Sequence, residues 1–193
     1  MSSFRLMEGR QLSNNTSTEA GWLRPVSDSP AYDQALDRLL SRWMCNVSGL
    51  PNTMVRARWQ KDQPAMPSVE TNWCAFGVTG WPIDNSPAFA VQTEDGSQLW
   101  RHEEFECMAS FYGPSGMQFA SIFRDGISVE QNNTELNTLG LSLKEYSAIT
   151  PFPEQINKQW VRRYDMTVTL RRKVVREYGI KSLVDASVTF FGD

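Results

Sequence analysis

The spacing of apolar residues in the first part of the chain predicts one amphipathic helix. Over residues 29–51, apolar side chains recur every three or four positions, and charged side chains fall between them. Ser29 and Pro30 suit the first positions of a helix, whereas Gly49 and Pro51 suit its end. The predicted buried stripe consists of Tyr32, Ala35, Leu36, Leu39, Leu40, Trp43, Met44 and Val47.

After this helix, apolar and polar residues alternate, which is typical of half-buried β-strands. The predicted strands span residues 53–60, 72–81, 88–92 and 99–113, and the second of them is apolar on both faces, which predicts a central strand. In the first strand, Trp59 is predicted to share the buried side with Val55 and Ala57. In the last strand, the predicted buried residues are Phe105, Cys107, Ala109 and Phe111. Together these patterns predict an antiparallel meander of about four strands.

The second half of the chain continues with helices and then strands. A helix is predicted after Pro114, with a shorter helical piece that ends before Gly140. The predicted buried face of the first of these consists of Met117, Ala120, Ile122, Phe123 and Ile127. The predicted strands that follow span residues 141–150, 160–178 and 182–191. In the long strand, Tyr164, Met166, Val168 and Leu170 alternate with Asp165, Thr167, Thr169 and Arg171.

These elements predict an α+β fold, in which a mixed, mostly antiparallel sheet packs against two or three helices. The length of 193 residues fits a single domain, here residues 29–193, whose core needs no disulfide. Residues 1–28 are polar and rich in Ser, Asn and Thr, so we expect an N-terminal arm that becomes ordered on a neighbouring molecule.

Composition and targeting signals narrow the class of protein. The odd number of cysteines, Cys45, Cys74 and Cys107, each in an apolar run, predicts reduced core thiols of a chain that folds in a cytosol. The first residues lack the basic start and apolar core of a signal peptide. No apolar run approaches the roughly 20 residues of a membrane span, so no membrane partner is expected.

The stretch YGPSGMQFA, residues 112–120, resembles a phosphate-binding corner because a glycine-rich turn joins a strand to a helix. A P-loop also needs a lysine and a hydroxyl directly after its last glycine, and the next lysine after Gly113 is Lys144. Gly113 and Gly116 are therefore predicted to bracket a helix entry. No nucleotide or other cofactor is predicted.

Catalytic and metal-binding patterns are weak in this sequence. His102, the single histidine, can share one strand face with Glu104 and Glu106, which is conceivable as a divalent-metal site. Polar alternation on an exposed strand face explains the same three residues. No cysteine has basic neighbours that would activate it. We therefore predict no catalytic residue and no enzyme activity, with a small metal-dependent enzyme at His102 as an alternative.

Positive charge is concentrated near the end of the chain. Residues 161–181 carry a net charge of +5, whereas the chain as a whole carries −3 and the remainder therefore −8. A charged strand edge that prevents aggregation, a surface for phosphates or an acidic partner, and a subunit interface each explain this segment. The candidate interface residues are Arg162, Arg163, Arg171, Arg172, Lys173 and Arg176.

Several local patterns occur together in residues 32–78. A helix that ends in Trp-x5-Gly-Leu precedes a strand, a Gln-Pro loop with a second proline follows, and then comes a tryptophan-containing central strand. These residues are Trp43, Gly49, Leu50, Gln63, Pro64, Pro67 and Trp73. In this order of elements the chain resembles the phage neck and tail terminator proteins. The similarity continues in residues 110–127, 136–153 and 160–175 and covers about residues 29–191.

This resemblance implies a structural virion protein without catalytic residues. The protein would form a homo-oligomeric ring of six subunits at the neck–tail junction, with assembly in the host cytoplasm. It would cap the tail tube protein, contact the neck and connector proteins, and let DNA pass through its lumen without specific binding. The alternatives left open are a head-completion or collar protein, the metal-dependent enzyme above, and a nucleic-acid-binding module that uses the basic segment.

Overall fold

The computed structural model describes residues 13–14, by their backbone alone, and residues 16–82, 84–156 and 158–180. Within these residues the helices are α1 (Asp33–Ser48), α2 (Gly116–Gly126) and α3 (Glu130–Thr138), with a short 3-10 helix at Asn52–Met54. The strands in the same part of the chain are β1 (Ser13–Asn14), β2 (Trp22–Leu23), β3 (Val55–Ala57), β4 (Trp73–Gly80), β5 (Ala88–Ala90), β6 (Ser97–Tyr112), β7 (Ser142–Tyr146), β8 (Thr150–Pro151), β9 (Glu154–Ile156), β10 (Gln159–Val161) and β11 (Arg163–Tyr178).

The main sheet has seven strands in the described part of the chain. Its continuous path is β3-β4-β6-β11-β7, and β5 and β8 add to β6 and β11. The β3–β4 pair is parallel, whereas β4–β6, β5–β6, β7–β11 and β8–β11 are antiparallel. The predicted α+β class with a mixed, mostly antiparallel sheet is therefore confirmed.

The predicted antiparallel meander is wrong at its first strand. Val55 of β3 pairs with Cys74 of β4 in parallel register, because the connection over residues 58–72 carries the chain back before β4 begins. Trp59 is also not on the buried side: its backbone turns left-handed, with φ 57°, and its side chain is 70% exposed. Strand β3, which carries the alternation, ends two residues earlier at Ala57.

The chain divides into two compact units, and two of the four boundaries between them fall inside the long strands β6 and β11. In the described residues, the first unit comprises 13–14, 16–30, 85–101 and 174–180. Here the amide N–H of Val26 donates to the carbonyl of Glu177 (2.8 Å), and that of Ser17 donates to Gly179 (2.9 Å). The end of the predicted arm is therefore hydrogen-bonded to the backbone at the end of β11. Residues 1–12 and 15 lie outside the described residues, and the arm remains a prediction.

The second unit, residues 31–82, 84, 102–156 and 158–173 in the described chain, contains the main hydrophobic core. The alternation predicted in the two long strands is confirmed, since the expected residues of β6 and three of the four expected in β11 are at most 1% exposed. The core residues with almost no exposure include Leu36, Leu40, Met44, Phe76, Phe105, Phe111, Phe123, Met166, Val168 and Leu170.

Both predicted core helices form, but the first residue of α1 and the buried face of α2 differ from the prediction. α1 begins at Asp33 rather than at Ser29, and Tyr32 precedes it without a side-chain cap. Its end at Gly49 is as predicted, with φ 75°. α2 buries Ala120 and Phe123 at helical spacing, whereas Met117 and Ile122, predicted as buried, are 43% and 42% exposed because they lie on its other faces. The strand predicted over residues 182–191 lies outside the described residues.

Candidate functional site

The glycine corner between β6 and α2 is closed by protein groups. Gly113 has φ +102°, and a Cβ there would lie 2.4 Å from the carbonyl oxygen of Thr71. The amide N–H of Ser115, at the start of α2, donates to Oδ1 of Asn72 at 2.8 Å. A bound phosphate would compete with Asn72 for that donor. The geometry therefore supports a structural corner, as the sequence predicted.

The three proposed metal ligands lie on one strand face, but they differ in exposure and in their ion-pair partners. His102 and Glu106 are exposed, and Glu104 is half-buried. Oε2 of Glu104 lies 2.7 Å from Nζ of Lys144, and this hydrogen bond raises the pKa of Lys144. Arg171 lies 4.0 Å from the other oxygen of Glu104. In the part of the chain that the structure describes, no three His, Cys, Asp or Glu side chains form a metal-binding group.

The three cysteines are buried and free, which confirms the predicted core thiols. Burial raises the pKa of Cys45 and Cys74 and raises that of Cys107 to about 12. A thiol is nucleophilic as the thiolate, so these thiols are poor candidates for covalent catalysis near neutral pH.

The six candidate interface residues differ in their exposure and in their contacts with other protein groups. Arg162, Arg171 and Lys173 are exposed, and Arg176 is half-buried with Nη1 at 3.2 Å from Oγ of Ser29. The remaining two, Arg163 and Arg172, turn toward protein groups. The sequence treated all six as surface residues, and the structure assigns a different environment to these two.

Arg172 lies at the edge of the core and is only 5% exposed. Its Nε and Nη2 donate to Oε2 of Glu103 at 2.9 and 2.8 Å, and Nη1 donates to the carbonyl of Ala31. The guanidinium lies 4.2 Å from the ring centroid of Tyr32 and 5.5 Å from that of Trp81. The hydroxyl of Tyr32 donates to the second oxygen of Glu103 at 2.6 Å. Arg172 is thus a structural residue of the protomer.

Arg163 is likewise engaged within the protomer. Its Nε lies 2.8 Å from Asp165 and its Nη1 3.2 Å from Glu154, and its guanidinium is 5.0 Å from the ring centroid of Phe152. With Arg171 near Glu104 and Arg172 on Glu103, acidic side chains offset part of the positive charge of this segment. The basic surface is therefore smaller than the sequence sum indicates.

An apolar groove lies in the second unit, where the sequence analysis placed no site. Its floor is the ring of Trp73 stacked on Tyr112, with centroids 4.4 Å apart and planes inclined by 10°. The cavity measures about 280 Å³. Its walls come from two separate segments and include Met66, Pro67, Val69, Ile156 and Val161. We call this cavity the aromatic groove.

Large aromatic side chains are also exposed elsewhere on the protomer. Trp59 and Trp160 are 70% and 73% exposed in the second unit, and Trp22 is 69% exposed in the first. Exposed tryptophan is costly in water and is enriched in protein interfaces. These residues place exposed apolar area on both units.

Comparison with known proteins agrees with this picture. In the described residues, no helix is both long and apolar enough to cross a membrane. No curated protein matches the chain. Residues 34–193, which include α1 except its first residue, α2 and the whole main sheet, match the family model of the phage neck terminator protein. The match spans most of the chain, and the chain therefore belongs to the phage neck terminator protein family.

Proposed function

We propose that this phage neck protein forms a homo-oligomeric ring of six subunits that caps the tail tube and docks it to the head connector. The observation that carries the proposal is the family match over residues 34–193. A structural role in the phage neck follows from the family, and a neck protein is part of the virion. The proposal adds the ring, the capping of the tube and the docking.

The surface of the protomer supports assembly with other protein subunits. A ring needs a patch on one copy that fits a different patch on the next, with a rotation that closes. The second unit offers such patches, since Trp59, Trp160 and the aromatic groove expose apolar area on separate segments. Exposed aromatic groups of this kind favour protein contacts over a monomeric enzyme.

The basic segment supports a protein contact better than a grip on DNA. Arg163, Arg171 and Arg172 each have a carboxylate within 4.0 Å, so fewer free charges remain to neutralise phosphates. The chain as a whole carries a net charge of −3. We assign the exposed members of the segment to contacts with a neighbouring subunit or an acidic partner ring, and the lumen lets DNA pass without specific binding.

Particle assembly with a charge-neutralised variant tests this function. Particles made without this chain are expected to contain unjoined heads and tails, and adding the parent protein is expected to restore joined particles. A variant with Arg162, Arg171 and Lys173 replaced by Gln should fold normally but restore joining less well. The deficit should shrink as salt rises, because screening weakens the same charges in the parent. Arg172 is retained in this variant because it is buried.

The matched control replaces Arg38, Arg42 and Lys61 by Gln, which removes the same charge from other exposed positions. This control should restore joining as well as the parent does. If particles join normally without the chain, the proposed function is wrong. If the basic variant joins particles normally but loses DNA affinity, the nucleic-acid alternative is favoured instead.

A further inference from the structure

The aromatic groove is an open apolar cavity without a partner in the described protomer. Trp73 and Tyr112 at its floor are 8% and 6% exposed, whereas Met66 and Val69 at its wall are 55% and 37% exposed. Removing apolar area from water contributes roughly 25 cal/mol per Å², so a fitting apolar segment would be held there. The cavity therefore has the shape and lining of a docking site for apolar side chains.

The chain itself contains a segment suited to this groove. Residues 181–193, KSLVDASVTFFGD, alternate apolar and polar positions and carry adjacent phenyl rings at Phe190 and Phe191. They lie outside the described residues and follow directly on Ile180. Fully extended, this segment of 13 residues spans roughly 43 Å. Its apolar positions and its length make this segment a candidate occupant of the groove on another copy.

Charge at the groove is compatible with the same segment. The guanidinium of Arg56 lies 6.0 Å from the ring centroid of Trp73, and its nitrogens donate to the backbone carbonyls of Thr53 and Ala65 rather than to a carboxylate. Residues 181–193 carry two aspartates and one lysine, a net charge of −1. Arg56, beside Trp73, attracts a segment of net negative charge.

We propose that residues 181–193 of one copy bind the aromatic groove of the next copy in extended form and place Val188 and Phe190, which share one face of the segment, against Trp73 and Tyr112. This inference rests on the proposed ring and names one of its contacts. The segment and the groove are different patches of one chain, so every copy offers one of each. Such a contact is heterologous and repeats around a ring until the rotation closes.

Two variants of the full chain separate the two sides of the contact. The groove variant carries Met66→Glu and Val69→Glu, at exposed positions where the change leaves the core intact. The segment variant carries Val188→Ser and Phe190→Ser, which share one face of the segment. Each alone is expected to raise the protomer concentration needed for assembly by roughly 100-fold, since two apolar groups leave the interface. The matched control, Met117→Glu with Ile122→Glu, alters equally exposed residues of α2 and should assemble as the parent does.

Mixing the two variants gives the decisive result, which sedimentation measures. The groove variant keeps an intact segment, and the segment variant keeps an intact groove. Their mixture should therefore form a one-to-one dimer and nothing larger. A mixture that remains monomeric, or an equal loss in the control, overturns the inference. Normal rings from either variant also overturn it but leave the proposed ring standing, whereas a parent that is monomeric contradicts the ring itself.

Discussion

Replacing Arg172 by alanine is expected to lower the free energy of unfolding by about 3–5 kcal/mol. The substitution leaves the carboxylate of Glu103 and the carbonyl of Ala31 without their charged donor, at a site where Arg172 is 5% exposed. The guanidinium also loses its contact with the ring of Tyr32. Urea unfolding followed by tryptophan fluorescence measures the loss.

The neighbouring arginine provides the control for this prediction. Arg171 has a side chain that is 48% exposed, and its nearest carboxylate, that of Glu104, is 4.0 Å away. Arg171→Ala is expected to change stability by less than about 0.5 kcal/mol. Replacing Arg172 by Met together with Glu103 by Leu should cost less than Arg172→Ala, because no buried charge is left unpaired. If Arg172→Ala and Arg171→Ala lower the free energy of unfolding by the same amount, the burial of Arg172 is contradicted.

Gly113→Ala is expected to destabilise the protein by roughly 2–5 kcal/mol, through backbone strain and a steric clash. The residue has φ +102°, and the new Cβ would lie 2.4 Å from the carbonyl oxygen of Thr71 and 2.7 Å from Oδ1 of Asn72. The clash would displace the Asn72 side chain that accepts from Ser115 at the start of α2. Thermal and urea unfolding report the change.

Gly140 separates the two causes of this loss. It has φ +75°, but a Cβ there would meet no atom within 4 Å. Gly140→Ala should therefore cost only the strain of a left-handed alanine, about 1–2 kcal/mol. If Gly113→Ala costs no more than Gly140→Ala, the corner has room for a side chain, and its role as a closed structural turn is contradicted.

Local periodicity predicted most of the fold because it needs no knowledge of distant residues. The alternation in β6 and β11 identified Phe105, Phe111, Val168 and Leu170 as core residues, and the helical spacing identified α1. The parallel pairing of β3 with β4 was missed because strand direction depends on the path of a whole connection. The pattern of apolar residues inside each strand is the same for either direction.

For Arg172, the charge of the side chain and the alternation of apolar residues in β11 predict opposite environments. It continues the spacing of Met166, Val168 and Leu170, which by itself corresponds to the buried side of the strand. Its charge favoured the surface, and its partner Glu103 is 69 residues away in the sequence. A buried ion pair between distant residues leaves no local signal in either strand.

The aromatic groove was missed for a related reason. Its walls come from the loop around Met66 and from the hairpin around Ile156, which are far apart in the sequence. Each segment alone resembles an ordinary connection. The sequence did show that residues 72–81 are apolar on both faces. One of these two faces carries Trp73, and that face lines the groove.

The central claim is that this phage neck protein closes into a ring of identical subunits. Native mass spectrometry of the purified parent protein, with negative-stain images of the same sample, tests it most directly. The expected result is a particle of six times the protomer mass that appears as a closed ring with a central opening. A protein that stays monomeric at every concentration, or that forms open filaments without closure, would contradict the account.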